Sequence, residues 1–425
     1  MNILMMTNTY LPHVGGVARS VEAFKCAYQD QGHRVLIVAP EFEGLPVHEE
    51  DVIRVPAIQR FNGSDFSVAL QMPATLSAAV ERFNADLVHS HHPFLLGMAA
   101  LRVAHKNDLP LVYTNHTMYE RYTHYVPGDS PAMQRFVIEL TVRYANMSDH
   151  VFAPSASLIK ILRKRGVTQP ITELPTGVNL SSFAEGSGSG FKAAMDIPVD
   201  AFLVGHVGRL APEKNLTFLA TAISEFLSRQ SNAHFLVVGD GPLRKEIINI
   251  FGEKGVGGRL HFSGSLNQPL LASAYQAMDV FAFASGSETQ GMVLTEAMAA
   301  GVPVVAIDAP GVREVVEDRL NGRLLASESL EDFIDALDWV AALEGRSIVE
   351  LNAAARRTAA QFSMPIVASR ALSIYESLCL QNHLERDADF TQLAQLRRLI
   401  EAEFDILVGM AGAAGAALGG DTAGT

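Results

Sequence analysis

Short apolar runs of strand type alternate with longer amphipathic stretches, and the pattern occurs twice along the chain. In the first half the runs are residues 3–6, 35–39, 52–55, 87–89, 111–114 and 151–153, with helix-like stretches such as 17–31 and 73–83 between them. In the second half they are 202–207, 235–238, 260–262, 280–283, 304–307 and 322–325, with helices at 215–228 and 243–251. Such alternation predicts an α/β fold, with a parallel sheet covered by helices on both faces. Two passages of it predict two doubly wound, Rossmann-like domains facing across a cleft. A chain of 425 residues has room for both. Residues 185–190, Glu-Gly-Ser-Gly-Ser-Gly, read by composition as a flexible linker between them.

The charge balance narrows the partners. Formal net charge is −13, unevenly spread: residues 1–180 hold 15 Lys and Arg against 16 Asp and Glu, whereas the remainder holds 18 against 30. An acidic chain argues against non-specific binding of nucleic acid. Cys26 and Cys379, far apart, give neither a disulfide framework nor zinc spacing and suit a reducing compartment. The N-terminus reads as a first strand and not as a signal peptide, and no apolar run reaches membrane-spanning length. A cytoplasmic protein with at most peripheral membrane contact is expected.

Ligands of doubly wound sheets bind outside the carboxyl ends of the strands, and the distinctive motifs fall at those ends. Gly15 and Gly16 follow the first strand and precede a helix, where a glycine pair lets backbone approach a diphosphate; a plain tight turn is the ordinary alternative. There is no G-x-G-x-x-G, which disfavours a dinucleotide site. Arg209 and Lys214 sit in GRLAPEKN, two cations suited to a diphosphate leaving group, although surface charge is the usual fate of such residues. Gly241 lies in GDGPL. The segment SGSETQGMVLTEAMAAGVPVV reads as loop, helix and buried strand, with Glu288 and Glu296 spaced E-x7-E. The helix is expected to open near Gly291, so that the amides of Gly291, Met292 and Val293 face phosphate or sugar. An ionised Glu296 one or two turns further in accepts hydrogen bonds from ribose or sugar hydroxyls. The piece is built to hold a nucleotide-sugar.

These motifs, in this order and together with YLPHVGGVARSV, the His116-Thr117 pair and LPTGVNLSSF, resemble those of the retaining glycosyltransferases of family 4, which have the GT-B fold. The resemblance covers residues 1 to about 380. It implies domains at 1–180 and 181–365, a last helix over 366–385 crossing back to the first domain, and an extra helix with a disordered tail over 386–425. It places Gly15 and Gly16 beside the donor phosphates, Arg209 and Lys214 on the diphosphate, Glu296 on the ribose, and Glu288 and His116 beside the transferred sugar. Where Gln290 stands many relatives carry an aromatic residue, but SETQG is similar to the version in lipid glucosyltransferases.

His89, His91 and His92 form HSHH, which could suggest a metal. On a strand His89 and His91 share a face while His92 points away, and no carboxylate or Cys completes the set. The Asp387-Ala-Asp389 motif lies in the tail and reads as helix-surface charge. Neither a divalent metal nor another cofactor is expected; the UDP-sugar is a co-substrate.

The acceptor reading rests on residues 116–143. Tyr119, Tyr122 and Tyr125 are interleaved with Arg121 and His124, and Arg135 and Arg143 follow. This segment resembles the acceptor side of diacylglycerol glucosyltransferases, and its aromatic and basic groups suit a lipid–water interface. Lys160, Arg163, Lys164 and Arg165 add a second basic run. The expected partners are a nucleotide-sugar donor, a lipid acceptor and an anionic membrane surface at the inner face of the cytoplasmic membrane. A Tyr-rich loop for a soluble or polyprenyl-linked sugar is the alternative, and a nucleotide-sugar 2-epimerase of the same architecture is a remote one.

Overall fold

In a computed structural model of the chain, residues 1–13, 15–45, 49–58, 68–69, 74–121, 123, 130–286, 288–386, 408, 410, 413 and 414 are described. The expectations for Tyr122, Tyr125, the Asp387-Ala-Asp389 motif and nearly all of the tail concern positions outside these residues.

β1 (Asn2–Met6) shows why the apolar runs are strands: Ile3, Leu4, Met5 and Met6 are all wholly buried, as befits a parallel strand covered on both faces. Around it stand β2 (Arg34–Pro40) and β3 (Val52–Val55). A small antiparallel pair follows, β4 (Ala57–Ile58) and β5 (Val68–Ala69). The chain then returns to the sheet with β6 (Leu87–Ser90), β7 (Leu111–Thr114), β8 (His150–Ala153) and β9 (Ile171–Glu173). The order is β3-β2-β1-β6-β7-β8-β9, and every pairing is parallel. The order reverses between β1 and β6, where a crevice opens in doubly wound sheets.

A second sheet contains β10 (Phe202–Val207), β11 (Ala233–Val238), β12 (Leu260–Gly264), β13 (Val280–Phe283), β14 (Val304–Ile307) and β15 (Gly322–Leu325). Its order is β12-β11-β10-β13-β14-β15, again all parallel. Its two faces carry separate cores. Leu203, Phe281, Phe283 and Leu294 belong to one, and Val204, Phe235, Ala282 and Phe333 to the other. The alternation within β10 and β13 is the period-two geometry of a strand.

The chain divides into Met1–Thr176 with Val367–Thr425, hereafter unit 1, and Gly177–Ile366, unit 2. Helix Met364–Arg386 begins in unit 2 and carries the chain into unit 1. There Tyr375 is wholly buried, its hydroxyl 2.7 Å from His89 Nδ1 and 3.2 Å from the Tyr28 hydroxyl.

One expectation is overturned. The Gly-Ser stretch is no flexible linker: Gly188–Ala194 is a helix whose Ser187 hydroxyl accepts from the Gly190 amide at 3.1 Å. Gly188 is tight because a Cβ there would lie 2.3 Å from the Gln276 carbonyl oxygen. The glycines serve close packing against helix Leu270–Ala277, and composition alone does not separate that use from flexibility.

Candidate functional site

In unit 2 the loops after β10, β11, β13 and β14 leave the same edge of the sheet, because all four strands are parallel. The first two are zipped together. Gly208 N donates to Val238 O at 3.0 Å, Leu210 N to Asp240 O at 2.9 Å, and Leu243 N to Leu210 O at 3.0 Å. Gly239 has φ +134°, and a Cβ on it would lie 2.0 Å from Gly208 O; one on Gly241 would lie 2.5 Å from Leu210 O. These glycines therefore set the approach of one loop to the other. Gly239→Ala should destabilise the protein by about 3 kcal/mol, from a forbidden contact and a strained backbone together. Urea unfolding of the variant at parental midpoint would contradict this.

The GRLAPEKN loop is pinned by buried Leu210 and Ala211 and ends in a short helical turn, Pro212–Lys214. Arg209 is exposed on it. The Ser285 hydroxyl donates to Glu213 O at 3.2 Å, tying this loop to the one after β13. Lys214 Nζ then forms an ion pair with Glu288 Oε1. The two residues are 74 positions apart in sequence, and each keeps about a fifth of its side chain in solvent.

Helix Met292–Ala299 opens at Gly291, whose φ of +71° favours glycine. The amides of Met292 and Val293 lie in its first turn, where a helix supplies no acceptor. Glu296 follows in the second turn, nearly buried, and its Oε2 accepts from the Tyr275 hydroxyl at 2.7 Å. Gly311, at φ +81°, lets the loop after β14 pack on the backbone of Thr289 and Gln290; a Cβ there would lie 2.6 Å from Gln290 N.

Two residues absent from the sequence reading belong to this edge. Tyr275 orients Glu296. His206, near the end of β10, is buried with its ring stacked near Phe281 and Phe283, and its Nδ1 donates to Ala282 O at 3.1 Å. Burial lowers its pKa to about 4, with Lys214 acting in the same direction. A lone His in an apolar strand carries no sequence signal of this kind.

In unit 1, Gly15 caps helix Gly16–Asp30 with an extended φ of −159°, open to any residue. A Cβ on Gly15 would meet the His13 ring at 3.0 Å, whereas one on Gly16 meets nothing. The pair thus has no left-handed backbone, and its use is a helix start with open space at Gly16.

The HSHH histidines are all buried at and just beyond the end of β6. Their ring nitrogens turn to different partners and do not converge on one point. His89 bonds Tyr375 and, through Nε2, the Thr114 hydroxyl at 2.7 Å. His92 Nδ1 accepts from the Asn8 amide at 3.1 Å. His91 Nδ1 lies 2.9 Å from His116 Nε2. Burial lowers the pKa of His89, His92 and His116 to about 3 in each case and holds His91 well below the ordinary value, although part of His116 still meets solvent. Among the described residues no three metal-binding groups come together.

Tyr119 and Arg121 share a short helical turn. The Tyr119 ring packs edge-on against Phe94 at 5.2 Å, while Arg121 is exposed. Of the second basic run, Lys160, Arg163 and Lys164 are exposed, but Arg165 is engaged with Glu120 at 2.5 Å. No helix of the described residues is long and apolar enough to cross a membrane.

Comparison with known proteins matches this arrangement. A family profile described as Glycosyltransferase Family 4 covers residues 14–182, and one described as Glycosyl transferases group 1 covers residues 191–362. The chain is similar to two proteins named alpha-monoglucosyldiacylglycerol synthase. The one from Streptococcus pneumoniae is 27% identical over 77% of this chain and 76% of its own length. The one from Acholeplasma laidlawii is 30% identical over 76% and 84%. It is also similar to the GDP-mannose-dependent alpha-mannosyltransferase of Mycolicibacterium smegmatis, 29% identical over 89% of this chain and 98% of that one. Among solved structures, the Anabaena protein HepE in complex with UDP and glucose superposes with a TM-score of 0.69, at 21% identity, over 89% of this chain and all of that one. With two Rossmann-like units of the GT-B type and both family profiles matched in order, the chain belongs to glycosyltransferase family 4 and is a glycosyltransferase.

Proposed function

We propose that this glycosyltransferase moves glucose from UDP-glucose to diacylglycerol with retention of anomeric configuration. The observation that carries the reading is the kinship with two alpha-monoglucosyldiacylglycerol synthases. Unit 2 supplies the donor chemistry. Arg209, Lys214 and the amides of Gly291, Met292 and Val293 take up charge on the departing diphosphate, where fixed donors act most strongly. Glu296, oriented by Tyr275, takes the ribose hydroxyls, and Glu288 a hydroxyl of the glucose. Gly241 acts through loop packing. Unit 1 contributes His116 to the sugar and the Tyr119–Arg121 turn to the acceptor, and Gly15 and Gly16 open a helix start toward phosphate. The acceptor oxygen bonds to C1 as the bond from C1 to the phosphate oxygen breaks on the same face. The acceptor proton passes to that departing oxygen, so no side chain is needed as a covalent nucleophile.

Exposed Lys160, Arg163 and Lys164 suit peripheral contact with an anionic membrane on the cytoplasmic side. A second reading, mannosyl transfer from GDP-mannose to a sugar or polyprenyl-linked acceptor, is favoured by the near-complete coverage of the mannosyltransferase. One assay separates them. Labelled UDP-glucose and GDP-mannose are each offered with diacylglycerol vesicles, with sugar acceptors, or alone. Label from UDP-glucose should enter the lipid phase, and EDTA should leave the rate unchanged. Absence of lipid product sinks the diacylglycerol assignment, an epimer from donor alone points to the epimerase, and loss of rate with EDTA overturns metal independence.

A further inference from the structure

We propose that His91 is a positioning residue that holds His116 in the tautomer with its proton on Nδ1. The proposal rests on the reading of His116 as a sugar contact. Both rings hang from anchored strand ends: His91 N donates to Met6 O on β1 at 3.0 Å, and Asn115 N donates to Phe152 O on β8 at 2.9 Å. Their planes differ by 23°, and the facing nitrogens are 2.9 Å apart, so the contact is edge to edge. His89 closes the other side of His91, with ring centroids 4.1 Å apart.

A hydrogen bond between two neutral imidazoles needs one N–H and one bare nitrogen, which leaves two partitions. If His116 donates from Nε2, the proton of His91 sits on its own Nε2. That atom is buried and has no partner among the described residues. If His91 donates from Nδ1, its Nε2 is only a bare lone pair. A buried orphan N–H is rarer and costlier than an under-used acceptor. The second partition is therefore the stable one, and it puts the proton of His116 on Nδ1. His116 then carries its proton on Nδ1, while its Nε2 lone pair is spent on His91. Within the reading of His116 as a sugar contact, this rules out His116 taking a proton through Nε2.

The test uses the full chain labelled with 15N-histidine at neutral pH. Long-range 1H–15N correlations report which ring nitrogen carries the proton, and His116→Gln identifies the signals. A protonated Nδ1 and bare Nε2 on His116 are expected; the reverse overturns the proposal. Kinetics add a second readout. His91→Asn keeps an amide nitrogen near the Nδ1 position, whereas His91→Leu does not. The Leu variant should lose about a hundredfold in kcat, and the Asn variant no more than about tenfold, with KM for UDP-glucose held within about twofold in both. Equal losses in the two variants overturn positioning. Should the Leu variant fail to fold by circular dichroism, the spectrum and the Asn variant decide. Full turnover in His116→Gln sinks the reading of His116 as a sugar contact, and the spectrum alone then judges the tautomer.

Discussion

Replacing Lys214 with Ala should lower the turnover of glycosyl transfer by about a thousandfold, the scale expected when a fixed donor is removed from a developing negative charge. The same change leaves Glu288 as a largely buried carboxylate without its ion-pair partner. Breaking a fully buried pair costs about 3–5 kcal/mol. Because each side chain keeps about a fifth of its surface in solvent, about 1–2 kcal/mol is the discounted figure here. Activity and stability can therefore be separated. Lys214→Ala combined with Glu288→Gln removes the stranded charge and should recover most of the lost stability. It should recover none of the turnover, because the positive charge on the diphosphate is still missing. Lys214→Arg keeps the charge but changes a compact ammonium into a planar fork, so partial activity is expected. Urea unfolding and steady-state rates with UDP-glucose on the same four proteins make the comparison. Turnover within about tenfold of the parent in Lys214→Ala would remove Lys214 from the chemistry.

That pair also shows what the sequence could and could not disclose. Lys214 and Glu288 were legible as separate motifs at strand ends, since both follow short apolar runs that parallel sheets bury on two faces. Their contact was not legible, because 74 residues separate them and only the packing of adjacent loops makes them neighbours. Tyr275 is hidden in the sequence for the same reason: it sits on an apolar helix, and folding alone brings its hydroxyl to Glu296. β9 carries no such signal, because Ile171–Glu173 is a short, partly exposed edge strand with no apolar run. The HSHH motif is plain in the sequence, but its three rings take separate hydrogen-bond partners, Tyr375, Asn8 and His116, drawn from three other places in the chain. Sequence located the strand ends, and the fold decided which side chains met there.

Those histidines should make unit 1 give way in mild acid. His89, His91, His92 and His116 are held neutral by burial, with pKa values of about 3 for His89, His92 and His116. An unfolded imidazole titrates near pH ~6.5. Below that pH the unfolded chain binds protons that the folded chain refuses. The stability these groups confer is thus complete above about pH 6.5 and is lost as the pH falls toward their folded values. Each contributes about 1.4 kcal/mol per pH unit once the unfolded form is protonated, and four together contribute roughly 5 kcal/mol per unit. A domain stable by about 5–15 kcal/mol does not survive about three units of that slope, which places the midpoint above about pH 3.5. Carboxylates with lowered pKa values, such as Glu49 and Asp318, act only below the ordinary carboxylate range, so the window between about pH 6.5 and 5 belongs to histidine. In unit 2, burial lowers the pKa of buried His234 and partly buried His261, but only His206 is brought to about 4. The single tryptophan, Trp339, lies in unit 2, so its emission follows that unit while ellipticity follows both. On acid titration, ellipticity should fall at a higher pH than the change in Trp339 emission. Urea unfolding free energies equal at pH 7 and pH 5 would mean that the four rings are charged, or open to water, in the folded protein.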